Sequence, residues 1–384
     1  HFNNHYLNCT TKIKPMGIRT GLQVFVEDGY IEEFRRLNVG VVVNHTSVHT
    51  NGSHLIDILL NSGVSVKAIF TPEHGLKGDL PAGEAYGDST YGGIPVYSLY
   101  GPRVKPPLNI VKGLDALIFD IQDVGVRFYT YISTLFNVLE SAGEAGVEVV
   151  VLDRPNPLTG IIVEGPILED DLRSFIGIWT LPIRYGLTIG ELARLFNSEA
   201  KLGVRLRVVK MDGWRRGMWY DETGLPWLRP SPAMVSLGSA LAYPGFGLFE
   251  GTNVNEGRGT DEPFQVIGAP WLDPVKIIDE ASVLGLRGFE LEPIEYVPRG
   301  SGVKYSGLVC RGIKVKVTDR LLFRPVKLAL GLMWIIARVH RDLFEFRRIG
   351  GSFHFDYLAG RRILRRLITG GSIEDVFAVA DEGV

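Results

Sequence analysis

The sequence lacks the features that mark disulfide-rich, thiolate-metal, nucleic-acid-binding and membrane-spanning proteins. Only two of the 384 residues are cysteines, Cys9 and Cys310, and their separation excludes a disulfide scaffold and a cysteine-based zinc site. The formal net charge of −2 gives no reason to expect nucleic acid or an anionic membrane as partner. The longest apolar run, residues 328–339, is too short to cross a bilayer and is typical of a buried helix.

Several catalytic and cofactor motifs are also missing. No Gly-x-Gly-x-x-Gly follows the first predicted strand, so the dinucleotide fingerprint is absent. The chain has no nucleophile motif of the Gly-x-Ser-x-Gly type and no His-Glu-x-x-His zinc motif. We therefore expect neither a cofactor nor a metal.

The first residues do not resemble a secretory signal. Residues 1–15 are polar and aperiodic, without an apolar core. We interpret them as a cloning remnant, a processed end or a disordered arm. The expected protein is soluble and cytoplasmic, with no membrane partner and an oligomeric state that the sequence leaves open.

The first part of the chain alternates between apolar strands and helices. Strands are predicted at residues 39–44, 66–70, 94–98, 116–121 and 147–152, with helices at 54–62 and 130–144. Strands that are apolar throughout and separated by helices favour a parallel sheet covered on both faces. The predicted fold class is thus α/β, with a Rossmann-like N-terminal domain.

The second half predicts a smaller α/β domain of mixed structure. A helix over residues 188–199 begins at a Thr188 cap, alternating strands are expected at 204–211 and 312–318, and helices at 326–340, 363–369 and 373–380. Residues 212–251 are rich in Trp, Tyr, Pro and Gly, which is typical of long loops over a pocket. At this length two domains are expected, with bounds of 17–170 and 171–384.

Polar turns follow the apolar strands and supply the candidate site. Ligands of open α/β sheets bind beyond the carboxyl ends of the strands. A later loop, residues 250–264, is dense in carboxylates, amides and glycines that suit sugar hydroxyls and close backbone approach. The turn residues predicted to bind substrate are Asn44, His74, Asp120, Asp123, Arg127 and Tyr129. From the loop we add Asn253 and Arg258 as substrate-binding residues, with Glu250 and Glu256 as catalytic candidates.

Carboxylates with amides and aromatics, without metal or nucleotide signatures, favour glycoside chemistry. That reaction needs an acid to protonate the leaving oxygen and a second carboxylate or its equivalent on the other side. Glu73 is the predicted acid, because it follows a buried strand directly, in Pro72-Glu73-His74-Gly75. Trp214, Trp219 and Trp227 are considered as a sugar platform, although loop aromatics more often pack against their own domain.

Five motifs carry a resemblance to a known family. They are Phe-Thr-Pro-Glu-His-Gly-Leu-Lys-Gly, Pro-Val-Tyr-Ser-Leu-Tyr-Gly, Phe-Asp-Ile-Gln-Asp-Val-Gly-Val-Arg-Phe-Tyr-Thr-Tyr, Leu-Asp-Arg-Pro-Asn-Pro-Leu-Thr-Gly and Glu-Gly-Thr-Asn-Val-Asn-Glu-Gly-Arg-Gly-Thr. In this order they resemble the exo-acting β-N-acetylmuramidases, formerly the domain of unknown function DUF1343 and also glycoside hydrolase family 171. The resemblance implies a cleft between two domains and removal of N-acetylmuramic acid from the non-reducing ends of peptidoglycan fragments. It also implies that Glu73 is catalytic.

The chain departs from the family pattern at two positions. Tyr185 stands where the family usually has a histidine, and Ala233 where it usually has an asparagine. Both family residues offer hydrogen-bonding groups to a sugar, so we place Tyr185 among the substrate-binding candidates. The departures leave the exact sugar open.

Two alternative functions remain at the level of sequence. One is a non-catalytic glycan-binding protein that keeps the fold, which the departures at Tyr185 and Ala233 allow. The other, ranked last, is a metal-dependent hydrolase that uses the carboxylates and imidazole of Glu73, His74, Asp120 and Asp123.

Overall fold

The computed structural model describes residues 17–383. The predicted arm at residues 1–15, together with Cys9, lies outside them. The strands are β1 (Asn38–Val43), β2 (Ser65–Thr71), β3 (Ser89–Tyr91), β4 (Ile94–Ser98), β5 (Ala116–Asp120), β6 (Glu148–Leu152), β7 (Leu206–Val209), β8 (Val266–Ala269), β9 (Phe289–Tyr296), β10 (Cys310–Val317), β11 (Arg348–Ile349) and β12 (Ser352–Phe353). The α-helices are α1 (Gly21–Glu27), α2 (Leu55–Asn61), α3 (Leu108–Val111), α4 (Tyr131–Ala145), α5 (Ile189–Glu199), α6 (Leu237–Phe246), α7 (Pro274–Glu280), α8 (Pro325–Val339), α9 (His354–Ala359), α10 (Arg362–Gly370) and α11 (Ile373–Ala380).

A seven-stranded sheet organises the N-terminal half, in the order β3-β4-β2-β1-β5-β6-β7. Every neighbouring pair is parallel except β3 and β4, which are antiparallel at one edge. The six parallel strands, counted along the chain, have the order 3-2-1-4-5-6 of the Rossmann fold. The chain therefore runs outward from β1 in one direction and then in the other.

Alternate residues of the parallel strands enter two separate apolar cores. In β5, Leu117 and Phe119 belong to one core while Ile118 belongs to the other, and all three are fully buried. Helices α1 and α2 cover the face that includes Ile118, whereas α4 and α5 cover the opposite face. Because both faces are covered, the strands are apolar throughout, as the sequence predicted.

The C-terminal region contains a three-stranded antiparallel sheet in the order β8-β10-β9. Helix α8 is buried along most of its length and packs against α6, α7, α10 and α11. The core of this region is continuous with the core under α4 and α5. The two halves of the protein are thus joined by shared apolar packing.

The predicted α/β architecture is confirmed, with a mostly parallel sheet and a smaller C-terminal region. Strand β7 lies beyond residue 170, where the sequence predicted the domain boundary, and yet it completes the N-terminal sheet. Its position favours a later boundary. None of the helices within residues 17–383 is long and apolar enough to cross a membrane.

Candidate active site

A cavity of about 610 Å³ lies between the two halves, beyond the carboxyl ends of β2 and β4. Its N-terminal wall includes Glu73, His74, Ala82, Gly83, Tyr100, Tyr129 and Thr130. Its C-terminal wall includes Ala233, Tyr243, Glu250, Glu256, Arg258, Lys304, Arg347, Ile349 and His354. The cavity therefore brings together six of the predicted site residues, which are Glu73, His74, Tyr129, Glu250, Glu256 and Arg258.

Glu73 is held by a sharp turn and by two hydrogen bonds. Strand β2 ends at Thr71, and His74 takes a left-handed backbone conformation with φ of 73°, which is unusual for a residue with a side chain. The Gly83 amide donates to Oε1 of Glu73 at 2.9 Å, and the Thr130 hydroxyl donates to Oε2 at 2.6 Å. Both oxygens of this buried carboxylate are therefore fixed in direction.

His74 presents one ring nitrogen to the backbone. Its Nδ1 lies 2.6 Å from the carbonyl oxygen of Leu80, and because a carbonyl only accepts, Nδ1 carries the proton. Burial lowers the pKa of His74, against the opposing effect of the Glu73 carboxylate. The ring is thus neutral near pH 7, which leaves Nε2 as a hydrogen-bond acceptor.

Two tyrosine hydroxyls lie on the same side of the cavity. Tyr129 is 6% exposed, and its hydroxyl has no hydrogen-bond partner in the described part of the chain. Burial raises its pKa well above the ordinary value, so the hydroxyl is protonated. For Tyr100, burial and the nearby Glu73 carboxylate raise the pKa in the same direction. Of the two, Tyr100 is the half-buried side chain, and its hydroxyl is suited to hydrogen bonding with sugar oxygens in the cavity.

Four charged side chains form a network on the opposite wall. Arg258 donates to Glu250 at 2.6 Å, and its Nε lies 3.3 Å from Glu256. Lys304 places its ammonium 2.8 Å from Glu256 and donates to the carbonyls of Phe249, Thr252 and Val254. The network balances two carboxylates with two cations.

The network keeps Glu256 ionised. Burial alone raises the pKa of this carboxyl, but Lys304 and Arg258 outweigh burial, and the pKa lies below the ordinary value. For Arg258, burial is in turn outweighed by Glu250 and Glu256, which raise its pKa. This side of the cavity therefore holds fixed charges of both signs at neutral pH.

Other predicted residues stabilise the sheet instead of lining the cavity. Asp120 is fully buried and pairs with Arg154, whose Nε and Nη2 lie 2.5 and 2.9 Å from its two carboxylate oxygens. Asn44 accepts hydrogen bonds from the backbone and hydroxyl of Thr46. The loop after β1 is further tied to the end of β5, because Ser47 donates to the Asp120 carbonyl and the Gln122 amide donates to Thr46.

Arg127 also lies away from the cavity. Its guanidinium is fully buried and donates to the carbonyls of Pro166, Leu181 and Leu358. Burial lowers its pKa to about 9, so it stays charged near neutrality. These contacts connect the two halves of the chain, and Arg127 is not among the residues that line the cavity.

Three more predicted residues have protein partners outside the cavity lining. Tyr185 donates a hydrogen bond to the buried carboxylate of Asp123. Asn253 donates to the carbonyl of Leu343 at 2.7 Å and accepts from the amide of Glu345 at 3.0 Å. Of the two departures from the family pattern, Tyr185 therefore lies outside the cavity wall, whereas Ala233 is part of it.

The structure does not assemble a metal site or a tryptophan platform from the predicted residues. In the part of the chain that the structure describes, no group of three or more His, Cys, Asp or Glu is arranged to hold a metal ion. Trp214, Trp219 and Trp227 are not among the residues that line the cavity. Within residues 17–383, the hypothesis of a metal-dependent hydrolase therefore lacks a cluster of side chains that could bind the metal ion.

Sequence reasoning missed several cavity residues. Thr130 was predicted only as the start of a helix, while Tyr100, Lys304, Arg347 and His354 were not predicted as site residues. Tyr100 lies within one of the family motifs and follows a predicted strand, which are two signals that point to it. Thr130 lies inside the family motif of residues 119–131, whereas Lys304, Arg347 and His354 belong to no motif that the sequence shows.

Comparison with known proteins assigns the chain to a class. The family model for the N-terminal part of exo-β-N-acetylmuramidase NamZ matches residues 39–238, and the model for its C-terminal part matches residues 241–383. The protein is therefore an exo-acting glycoside hydrolase with a two-part α/β fold. It belongs to the NamZ exo-β-N-acetylmuramidase family, as the motifs predicted.

Individual relatives agree with this assignment. The chain is 42% identical over 373 residues to the peptidoglycan β-N-acetylmuramidase NamZ of Bacillus subtilis, a match that covers 96% of this chain and 88% of the relative. A crystal structure of a DUF1343 family protein from Bacteroides fragilis has a TM-score of 0.86 at 34% identity, with 94% of each chain covered. A second DUF1343 structure from that organism has a TM-score of 0.73 at 28% identity and covers 96% of this chain and 95% of the other.

Proposed function

We propose that the protein removes a terminal β-linked N-acetylmuramic acid from peptidoglycan-type fragments, with Glu73 as the general acid. The substrate follows from the 42% identity to the Bacillus subtilis enzyme. The role of Glu73 follows from the charges around the cavity.

One observation supports Glu73 in particular. Of the carboxylates that line the cavity within residues 17–383, Glu250 and Glu256 form salt bridges, and Glu73 forms none. A general acid must hold a proton and release it, which a carboxylate locked to a buried cation does poorly. The partners of Glu73 are neutral groups, the Gly83 amide and the Thr130 hydroxyl, that fix its direction without adding charge.

The opposite wall supplies the second requirement of glycoside hydrolysis. Glu250 is half-buried and borders the cavity, whereas Glu256 lies deeper, at 4% exposure, behind Arg258 and Lys304. In this proposal Glu250 stabilises the positive charge that develops on the sugar ring or orients the attacking water. Glu256 anchors the two cations and so sets the charge balance around Glu250.

The proposed reaction uses these groups in order. Glu73 transfers its proton to the glycosidic oxygen while the bond between that oxygen and the anomeric carbon breaks, and the aglycone leaves as an alcohol. Water then adds a hydroxyl group to the anomeric carbon, and a proton returns to Glu73. Nε2 of His74 is placed to hold a sugar hydroxyl during this exchange.

The direct test compares Glu73→Gln with wild type on 4-nitrophenyl β-N-acetylmuramide and on a disaccharide of N-acetylmuramic acid β-linked to N-acetylglucosamine. Loss of a general acid lowers kcat by about 10²- to 10⁴-fold. The loss is expected to be larger on the disaccharide, because 4-nitrophenolate needs less protonation to leave. The matched control is Glu84→Gln, at an exposed position in the same loop region, with wild-type activity expected.

Two results would contradict the proposal in different ways. Undiminished hydrolysis of both substrates by Glu73→Gln removes Glu73 from the mechanism. Calorimetric binding of the sugar by wild type without turnover of any amino-sugar substrate supports the non-catalytic alternative instead.

A further inference from the structure

Arg347 is a cation at the cavity wall that the proposed chemistry does not use. It is exposed, it lines the cavity, and its side chain forms no salt bridge or hydrogen bond within the described residues. The other two cations of the wall are engaged, since Arg258 contacts Glu250 and Glu256 and Lys304 contacts Glu256. Arg347 is therefore available to a ligand of negative charge.

The backbone holds Arg347 at a fixed distance from the carboxylate network. Its amide donates to the carbonyl of Gly251 at 2.8 Å, and its carbonyl accepts from the amide of His354 at 3.1 Å. Upstream, the amide of Asn253 donates to the carbonyl of Glu345 at 2.9 Å. The segment that carries Arg347 is thus paired with the loop that carries Glu250.

Two neighbours complete a polar and apolar surface beside Arg347. His354 is half-buried and lines the cavity, and burial lowers its pKa, so the ring is neutral near pH 7 and can donate one hydrogen bond. Ile349 lines the cavity two residues after Arg347 and is 53% exposed. A guanidinium, an imidazole and a branched aliphatic side chain therefore face the same space.

N-acetylmuramic acid differs from N-acetylglucosamine by an ether-linked lactyl group, which consists of a carboxylate and a methyl group on one carbon. A guanidinium binds a carboxylate through two parallel hydrogen bonds, and an aliphatic side chain covers a methyl group. We propose that Arg347, with His354 and Ile349, forms the subsite for this lactyl group. The inference rests on the proposed function and names the residues that distinguish N-acetylmuramic acid from N-acetylglucosamine.

The experiment separates recognition from turnover. Wild type, Arg347→Met and Arg347→Lys are compared for KM and kcat on 4-nitrophenyl β-N-acetylmuramide and on its methyl ester, in which the carboxylate is neutralised. Calorimetry measures binding of N-acetylmuramic acid and N-acetylglucosamine to the same proteins. Arg348→Met is the matched control, because Arg348 packs over Phe353 and donates to the carbonyl of Gly351 instead of lining the cavity.

We expect Arg347→Met to raise KM for the acid about 10- to 100-fold, the loss typical of a charge-assisted hydrogen bond. KM for the methyl ester and kcat for both substrates should change far less. Arg347→Lys should recover part of the affinity, because it keeps the charge and loses the planar fork. Arg348→Met should behave as wild type.

The outcomes distinguish this inference from the proposed function. An Arg347→Met protein that still prefers the acid over the ester by the wild-type ratio overturns the lactyl subsite, even if the wild type is an active muramidase. A wild type that binds N-acetylmuramic acid in preference to N-acetylglucosamine through Arg347, but hydrolyses no muramide, overturns the proposed function and keeps the subsite.

Discussion

The hydroxyl of Thr130 donates a hydrogen bond of 2.6 Å to the Glu73 carboxylate and so joins the start of α4 to the end of β2. Thr130 precedes the first residue of this 15-residue helix, where the helix dipole favours negative charge. The candidate acid is therefore placed by a strand of the parallel sheet and by a helix that covers that sheet.

Replacing Thr130 with valine tests this contact at nearly constant volume. The variant loses the donor to Oε2, so the carboxylate samples other directions and the correctly oriented fraction falls. A hydrogen bond to a charged group is worth about 1.5–3 kcal/mol, and we expect kcat to fall about 10-fold or more. Steady-state kinetics on the chromogenic muramide provide the measurement.

Thr134→Val is the control for Thr130→Val. Thr134 is fully buried one turn further along α4, and its hydroxyl makes only a long bond of 3.5 Å to the carbonyl of Thr130. We expect a kcat close to wild type. If both valine variants lose the same activity, the effect comes from α4 as a whole and not from the contact with Glu73.

Glu256→Gln should destabilise the fold, because it leaves the buried Lys304 ammonium without its counter-charge. Breaking a buried ion pair from one side costs about 3–5 kcal/mol. The half-exposed pair of Glu262 and Lys314 gives the control, since Glu262→Gln at a solvent-accessible salt bridge should cost about 0–1 kcal/mol. Calorimetric unfolding at pH 7 measures both variants.

The effect of Glu256→Gln should depend on pH in a defined direction. The pKa of Glu256 in the folded protein lies below its unfolded value, so the carboxylate contributes stability above about pH 4.3. That contribution is lost as the pH falls through the folded pKa. The difference in Tm between wild type and variant should therefore shrink below pH 4, and a difference that stays constant would contradict the charge-pair explanation.

Tyr185→Phe should destabilise the protein more at neutral than at acidic pH. Burial raises the pKa of Asp123 to about 6, against the hydrogen bond from Tyr185, which lowers it. Because the folded pKa exceeds the unfolded value, the contribution of Asp123 to stability is present below about pH 4 and is lost as the pH rises through 6. Without the Tyr185 hydroxyl, the pKa of Asp123 in the folded protein rises further. The stability that is lost on ionisation of Asp123 is then larger, and the loss is complete only at a higher pH.

Denaturant unfolding at pH 4.0 and 7.5 provides the measurement for Tyr185→Phe. We expect about 1.5–3 kcal/mol of destabilisation at the higher pH, typical of a lost hydrogen bond to a charged group, and less at the lower pH. Equal destabilisation at both pH values would show that the strength of the hydrogen bond from Tyr185 does not depend on the ionisation of Asp123. KM for the muramide should be unchanged, since Tyr185 lies outside the cavity wall.

The sequence predicts the parallel sheet well because burial on both faces requires strands that are apolar throughout. Prediction of secondary structure from the sequence fails where local composition conflicts with tertiary packing. Residues 237–246 are predicted as loop because they include Pro244 and two glycines. They form helix α6 instead, which packs against α8. Strand β9 alternates but contains Pro293, which an edge strand tolerates and a central strand does not.

The candidate site is only partly predictable, because sequence shows where polar groups stand and not what they contact. Glu73 follows a buried strand and Asp120 is the last residue of another, yet Glu73 borders the cavity while Asp120 pairs with Arg154 in the interior. Arg127 lies in a family motif and donates to three carbonyls. Arg347 carries no motif and reaches the cavity because its segment pairs with the loop that carries Glu250.

The hydrogen bonds between the loop after β1 and the end of β5 lie at the position where sheets of this strand order usually bind their ligand. In a sheet of this strand order, the gap beside the first strand is where a dinucleotide usually rests. Here Thr46, Ser47, Asp120 and Arg154 fill that gap with protein. This chain thus has the strand order of a dinucleotide-binding sheet with its usual ligand position filled by side chains, and its cavity opens one strand further along, beyond β2.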